Sequence, residues 1–298
     1  MSFSADVKSE LARLNLPKRC CAVAEGYGML LYASTFNPRE IRLITERPDV
    51  GARFADLLQR GFGVSLDKMP SEGVMKGSYV IAESASLQRI FGVVGYDRNT
   101  HISHSINFGI LEEACCSTSF VRGVFLAGGS ITDPAKGYHL ELVTAHKSVS
   151  AGLFSILRDM NFAPRETVRR RKYAIYFKQS GAIEDLLTTI GATGSAMAYM
   201  TAKVERHMKN SIQRKVNCDT ANVEKSVEAS QAQLAAIRRI ELGAGLESLS
   251  DKLQQTALLR IVNPEASLAE LAELADPPVT KSCMSHRLRK LLELSTLS

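Results

Sequence analysis

The sequence predicts an α+β fold: a duplicated αββαββα domain with a pseudo-twofold, followed by a helical connector and an all-α module at the C-terminus. Three observations carry this reading. A diverged repeat runs through the first two thirds of the chain. Two apolar helical stretches carry glycines at matching places in the two copies. Beyond residue 195 strand-like alternation stops, and helical periodicity with caps and breakers takes over.

The repeat rests on four matches in the same order. Ile41-Arg42-Leu43-Ile44-Thr45 aligns with Leu140-Glu141-Leu142-Val143-Thr144 at an offset of 99, and Gly26 with Gly123 at 97. Tyr79-Val80-Ile81 aligns with Tyr173-Ala174-Ile175 at 94, and Gly95 with Gly191 at 96. The first copy reads as a helix over 20–32, strands near 33–37 and 40–46, a helix over 51–61, strands near 63–67 and 78–83, and a helix over 85–94. The second reads as a helix over 117–129, strands over 130–132 and 138–145 joined by the turn Asp133-Pro134-Ala135-Lys136-Gly137, and a helix over 147–160. Strands near 163–169 and 172–178 and a helix over 181–190 complete it. In Tyr138–Val143 the alternation puts Tyr138, Leu140 and Leu142 on one face and His139 and Glu141 on the other, as in an antiparallel sheet with one covered and one open face.

A short amphipathic helix precedes the repeat, with Ser4 as its expected cap and Val7, Leu11 and Leu14 on one face. Residues 196–242 read as two helices broken at Asn217-Cys218-Asp219-Thr220 and ended by Gly243 and Gly245. In the last module Asn263-Pro264 ends a helix carrying Leu249, Leu253 and Ile261. Ser267 with Glu270 forms a capping box, Pro277-Pro278 forces a turn, and Thr280 caps a last helix. The expected divisions are 1–100 and 101–195 for the two copies, 196–246 for the connector and 247–298 for the last module.

Composition narrows the function classes. The 298 residues are 45% hydrophobic and carry a net charge of +6, which excludes collagen-like, low-complexity and disulfide-scaffold chains. Lys8, Glu10 and Arg13 interrupt any secretory apolar run, and no stretch approaches the length of a membrane span, so a cytoplasmic protein is expected. The cysteines at 20, 21, 115, 116, 218 and 283 do not match zinc-site spacing and read as small hydrophobes, so no metal and no cofactor is expected. His101-x-x-His104 has no further ligands at a useful spacing. Gly123-x₄-Gly128-Gly129-Ser130 mimics a phosphate-binding loop, but Gly129 stands where the lysine belongs and the segment reads as a helix.

The charge is concentrated. Residues 158–178 hold seven basic side chains against two acids, with Arg169, Arg170, Arg171 and Lys172 at a hairpin tip; residues 203–215 hold five against one. On the wheel of the last helix Met284, Leu288, Leu291 and Leu292 face inward. Ser282, His286, Arg289 and Lys290 face away, with Ser285 and Arg287 flanking. Small polar and basic residues opposite a core are what a helix needs to read base edges and hold phosphates, so Thr280, Lys281, Ser282, Ser285, His286, Arg287, Arg289 and Lys290 are candidate DNA contacts. Arg169, Arg170, Arg171 and Lys172 are candidates for phosphate contact. Double-stranded DNA is the expected partner, with protein partners in transcription, and no membrane or small-molecule substrate.

Val121-Arg122-Gly123-Val124-Phe125-Leu126-Ala127-Gly128-Gly129 and Ala24-Glu25-Gly26-Tyr27-Gly28-Met29-Leu30-Leu31-Tyr32 resemble the paired central helices of the LAGLIDADG homing-endonuclease fold. The whole chain resembles the WhiA family of bacterial sporulation regulators, through FSADVKSELARL (3–14), RGVFLAGGSITDPAKGYHLEL (122–142), VNCDTAN (216–222), GLESLSDKL (245–253), NPEASLAELAEL (263–274) and PPVTKSCMSHRLRKL (277–291). Cys283, Met284 and Ser285 depart from the glycine, aliphatic and asparagine more usual there. The resemblance implies a helix-turn-helix at the C-terminus, a DNA-binding transcriptional regulator associated with the nucleoid, and roles in sporulation, cell division and chromosome segregation. It places Leu31 and Gly128 where the endonucleases keep the acids that hold a catalytic metal. Neither offers a hard oxygen ligand from its side chain, so binding without cleavage is expected. The alternatives are a metal-dependent DNA endonuclease, or a regulator whose duplicated domain senses a small molecule or docks a protein.

Overall fold

The computed structural model describes residues 2–15, 18–71, 76–96 and 104–296. The chain divides into two compact units, residues 1–207 and 208–298.

The first unit is built on two glycine-bearing helices, α2 (Arg19–Leu31) and α5 (Ala114–Gly128). Their backbones meet so closely that a Cβ on Gly123 would lie 1.9 Å from the Glu25 carbonyl oxygen, and one on Gly28 would lie 2.3 Å from that of Phe120. Glycine is required at both places by approach rather than by φ. Across the same interface the buried Glu25 carboxylate accepts from Arg53 Nε at 2.8 Å, Arg53 Nη2 at 3.0 Å and Arg122 Nη1 at 3.0 Å. Arg53 also donates to the Leu14 carbonyl and Arg122 to that of Ile190, so both guanidinium groups are held on more than one side. Glu25 and Arg122 occupy matching positions of the two copies, at the same offset of 97 as Gly26 and Gly123.

Around this pair each copy adds an antiparallel sheet. The second copy has four strands in the order β4-β5-β7-β6: β4 (Gly129–Ile131), β5 (Leu140–Thr144), β6 (Arg165–Arg169) and β7 (Lys172–Phe177). Leu140, Leu142 and Thr144 are buried, while Glu141 and Val143 are half-buried, as the alternation predicts. Helices α6 (Lys147–Asp159) and α7 (Ser180–Ile190) complete the copy. The first copy has β1 (Thr35–Phe36), β2 (Ile41–Thr45) and β3 (Gly77–Ile81) in sequence order, with α3 (Pro48–Leu57), which runs on into a wider turn over Leu58–Phe62, and α4 (Ser84–Val94).

Two expectations for this unit are corrected. Residues 63–67 form no strand; Lys68 makes a single bridge with Val80. Asp67 turns its carboxylate to the Ala82 and Glu83 amides at 2.5 and 2.7 Å, at the start of α4, and Pro70 has no N–H with which to extend a ladder. The first helix, α1 (Phe3–Ala12), is capped by Ser2, whose hydroxyl accepts from the Ala5 amide, and not by Ser4.

α8 (Thr193–Leu242) belongs in part to each unit and is continuous through Asn217–Thr220, where a break was expected. Asn, Asp and Thr each cost at most about 0.7 kcal/mol in a helix relative to Ala. With neither Gly nor Pro between 195 and 242, that is too little to interrupt it. Its first turn is anchored by Glu10 of α1, whose carboxylate accepts from the Gly194 and Ser195 amides at 2.7 and 2.8 Å, an acid at a helix N-terminus.

The second unit packs α9 (Asp251–Val262), α10 (Leu268–Glu273) and α11 (Lys281–Leu294) with the end of α8. Its core is Ile237, Ile240, Ala257, Leu271, Ala272, Ala275, Met284, Leu288 and Leu291.

Candidate nucleic-acid interface

The helix pair α10–α11 is fixed from its ends inward. Ser267 Oγ accepts from the Glu270 amide at 3.3 Å, and Glu270 accepts from the Ser267 amide at 2.7 Å; this completes the expected capping box and holds the Glu270 carboxyl below its usual range. Thr280 Oγ1 accepts from the Cys283 amide at 3.2 Å and so starts α11, while the Val279 amide donates to the Ala272 carbonyl at 2.9 Å and closes the turn. Sequence reasoning missed Arg260. Its guanidinium, only 2% exposed, donates to the carbonyl of Ala266 at 2.7 Å and lies near those of Asn263 and Pro264. It thus supplies charge-assisted bonds to the loop that leads into α10. An arginine flanked by Leu258-Leu259 and Ile261-Val262 was the available signal.

On α11 Met284, Leu288 and Leu291 are buried and Leu292 is half-buried. Thr280, Lys281, Ser282, His286, Arg289 and Lys290 are exposed, and Ser285 and Arg287 are half-buried. Ser282, His286, Arg289 and Lys290 therefore share one side of the helix, Ser285 and Arg287 flank it, and Thr280 and Lys281 lie at its N-terminal end. Lys290 reaches Glu293 at 3.4 Å, an exposed pair worth well under about 1 kcal/mol. Among the described residues no carboxylate pairs with Lys281, Arg287 or Arg289.

The second basic cluster caps the β6–β7 hairpin. Arg169 pairs with Lys172, and the two residues between them, Arg170 and Arg171, have φ of +49° and +63°. A two-residue turn of this kind favours Asn-Gly or Gly-Gly, because both central residues sit in the left-handed region. Two arginines there place exposed charge at a tip whose backbone conformation disfavours them.

The third cluster is partly neutralised. Lys203 pairs with Glu184 at 2.9 Å, and Arg206 lies 5.0 Å above the Tyr138 ring.

Leu31 closes α2 and is 1% exposed; Gly128 closes α5, its Cα facing the Tyr32 ring and the Val143 carbonyl. Asp133 accepts from the Ala135 amide at 2.9 Å and serves the turn. Near the end of α5, Lys8 of α1 lines a surface cleft of about 350 Å³ with Leu126, Ala127, Glu46, Arg47 and Lys76. Burial pushes the Lys8 amine down to about 8. His101 lies outside the described residues. His104 Nε2 donates to the Phe36 carbonyl, 2.8 Å away, and its ring stacks on that of His146 with centroids 3.9 Å apart.

Cys21 and Cys116 are buried, as small hydrophobes would be, while Cys20 and Cys218 are exposed and Cys115 and Cys283 half-buried. The sulfurs of Cys20, Cys115 and Cys116 all lie within 4.8 Å of one another. The missed signal was the repeat itself: Cys20-Cys21 and Cys115-Cys116 are offset by 115 − 20 = 95, inside the range set by the other matches.

No helix among the described residues is long and apolar enough to cross a membrane. Profile comparison matches residues 212–295 to the WhiA C-terminal HTH domain and residues 117–209 to the WhiA LAGLIDADG-like domain. A probable cell division protein WhiA from Alkaliphilus metalliredigens is 33% identical over 99% of this chain and 98% of its own length. One from Lachnospira eligens is 35% identical over 98% and 96%. The crystal structure of full-length WhiA from Thermatoga maritima shares the fold, with a TM-score of 0.60 at 23% identity over 99% of this chain and 98% of that one. A glycine-packed helix pair between two sheets, a three-helix module and full-length similarity to these relatives converge: the chain belongs to the WhiA family.

Proposed function

We propose that this protein is a sequence-specific double-stranded-DNA-binding regulator of transcription that seats α11 in the major groove. The observation that carries the reading is the segregation on α11, with Ser282, His286, Arg289 and Lys290 exposed on the side away from Met284, Leu288 and Leu291, and Lys281 exposed at the helix start. Serine and arginine there suit base edges, and the lysines suit phosphates. Arg169, Arg170, Arg171 and Lys172 add phosphate contacts from the duplicated domain. The working divisions are 1–100, 101–195, 196–246 and 247–298, and the protein acts in the cytoplasm on the nucleoid. Relatives described as probable cell division proteins support a role in cell division; sporulation and chromosome segregation are the finer roles this reading assigns.

The duplicated domain binds without cutting. A phosphodiester-cleaving metal needs oxygen ligands at the feet of the central helices, where Leu31 and Gly128 supply none from their side chains. Gel-shift titrations across a salt series test the binding surface. Arg289→Ala with Lys290→Ala lowers affinity several-fold and reduces the log–log salt slope by up to about 1.8, at about 0.9 for each phosphate left unneutralised. Unchanged affinity and slope overturn the reading. Protein-dependent plasmid cleavage with Mg²⁺ or Mn²⁺ that survives repurification overturns the non-cleaving part.

A further inference from the structure

We propose that Cys20, Cys115 and Cys116 form a thiolate site for a zinc ion at the N-terminal ends of the two central helices, tying one half of the duplicated domain to the other. The sulfurs lie within 4.8 Å of one another, and they come from segments far apart in sequence. A tetrahedral zinc with Zn–S bonds of about 2.3 Å holds its sulfurs about 3.8 Å apart. Closing the cluster therefore takes about 1 Å of side-chain rotation and no change of helix packing.

The helix ends favour the ligand form at Cys20 and Cys115, while burial pushes the Cys116 thiol up to about 12, so an ion must displace that proton as it binds. Cys20 is the second residue of α2 and Cys115 the second residue of α5, so two helix N-termini, each with unsatisfied amides and a positive dipole end, converge on the sulfurs. A helix N-terminus favours thiolate over thiol. Lys18 and Arg19 precede Cys20 and add positive charge to a site that gathers negative charge on binding. Exposure is graded: Cys20 is open to solvent, Cys115 is half-buried and Cys116 is buried, which gives an ion a route in and a floor to rest on. Cys20 gains nothing as a core hydrophobe, because it is not in the core.

Chemistry selects the ion class. Three sulfur donors without a carboxylate among them suit zinc and exclude magnesium and calcium, which require oxygen. Cys21 turns its thiol to the Cys115 carbonyl at 3.9 Å, so the fourth position goes to water on the Cys20 side. The pseudo-twofold explains the cluster: the same Cys-Cys pair at the start of each central helix is folded against its own repeat image. The site shares no residue with the DNA-contacting surfaces and lies at the opposite ends of the central helices from Leu31 and Gly128.

The test uses the full-length protein, reduced with a phosphine, and Co²⁺ as the spectroscopic probe. The proposal expects one equivalent of Co²⁺ to produce a thiolate-to-cobalt charge-transfer band with tetrahedral d–d bands, and one equivalent of Zn²⁺ to abolish both. Cys20→Ser, at an exposed position that serine tolerates, weakens Co²⁺ binding at least tenfold while leaving the circular dichroism spectrum unchanged. Cys115→Ser with Cys116→Ser abolishes the band, and Cys218→Ser with Cys283→Ser retains it. A reduced wild-type protein without a charge-transfer band overturns the proposal even if a variant fails to fold. So does a band that survives Cys20→Ser at full affinity, or one that disappears with Cys218→Ser and Cys283→Ser.

Discussion

Replacing Arg170 and Arg171 by Asn and Gly separates what the β6–β7 hairpin does for stability from what it does for binding. Both arginines sit in the left-handed region, at φ of +49° and +63°. That region costs an ordinary L-residue on the order of 1 kcal/mol, and an Asn-Gly turn largely removes the cost at both positions. Arg170→Asn with Arg171→Gly therefore stabilises the hairpin by up to about 2 kcal/mol, less the packing that the exposed side chains supply. If both guanidinium groups face phosphates, the same change lowers the slope of log affinity against log salt by up to about 1.8. Stability is read by urea unfolding of the full-length protein, and binding by fluorescence anisotropy with a labelled duplex at several salt concentrations. Stability and affinity move in opposite directions. A variant that binds with unchanged affinity and slope refutes the phosphate role, and one that loses stability refutes the strain argument.

Two further outcomes follow from the packing. Gly123→Ala drives a Cβ to 1.9 Å from the Glu25 carbonyl oxygen, so overpacking of about 3 kcal/mol outweighs about 1 kcal/mol of helix propensity; Gly92→Ala in α4, which meets nothing within 4 Å, gains about 1 kcal/mol, and urea midpoints of the two compare them. Lys8 carries a pH dependence: because its folded pKa of about 8 lies below the ordinary 10.5, the unfolded chain binds more protons between those values and its contribution to stability rises with pH across that window. Lys8→Met removes this pH dependence: its stabilisation relative to the wild type is on the order of 2 kcal/mol greater at pH 7 than above about pH 10.5 in urea titrations at stepped pH.

The duplicated domain was legible because its signals are local or periodic. The Tyr138–Val143 alternation marks a half-covered strand, and Gly28 and Gly123 mark helices that touch through their backbones. Ser267 and Thr280 likewise announce the starts of α10 and α11. Illegible features depend on partners far away in sequence. Glu25 with Arg53 and Arg122, and Arg260 with the Asn263–Ala266 carbonyls, carry no periodic signal, because their partners come together only when the fold closes around them. The expected break at Asn217–Thr220 failed because residues that disfavour a helix weakly cannot stop one without Gly or Pro. The missing strand at 63–67 failed because Asp67 serves the start of α4. At the site, the wheel of α11 placed Met284, Leu288 and Leu291 inside, since a short helix on a small core has one apolar side. The convergence of Cys20, Cys115 and Cys116 required superposing the two repeats, which pairwise cysteine spacing does not do.

The central claim is that α11 reads base sequence. Its most direct test is selection of bound duplexes from a random-sequence pool by the full-length protein, repeated with Ser282→Ala and His286→Ala together. The account predicts one enriched motif for the wild type and a motif altered or lost at specific positions for the variant. Enrichment of no motif, or of the same motif by both proteins, contradicts it.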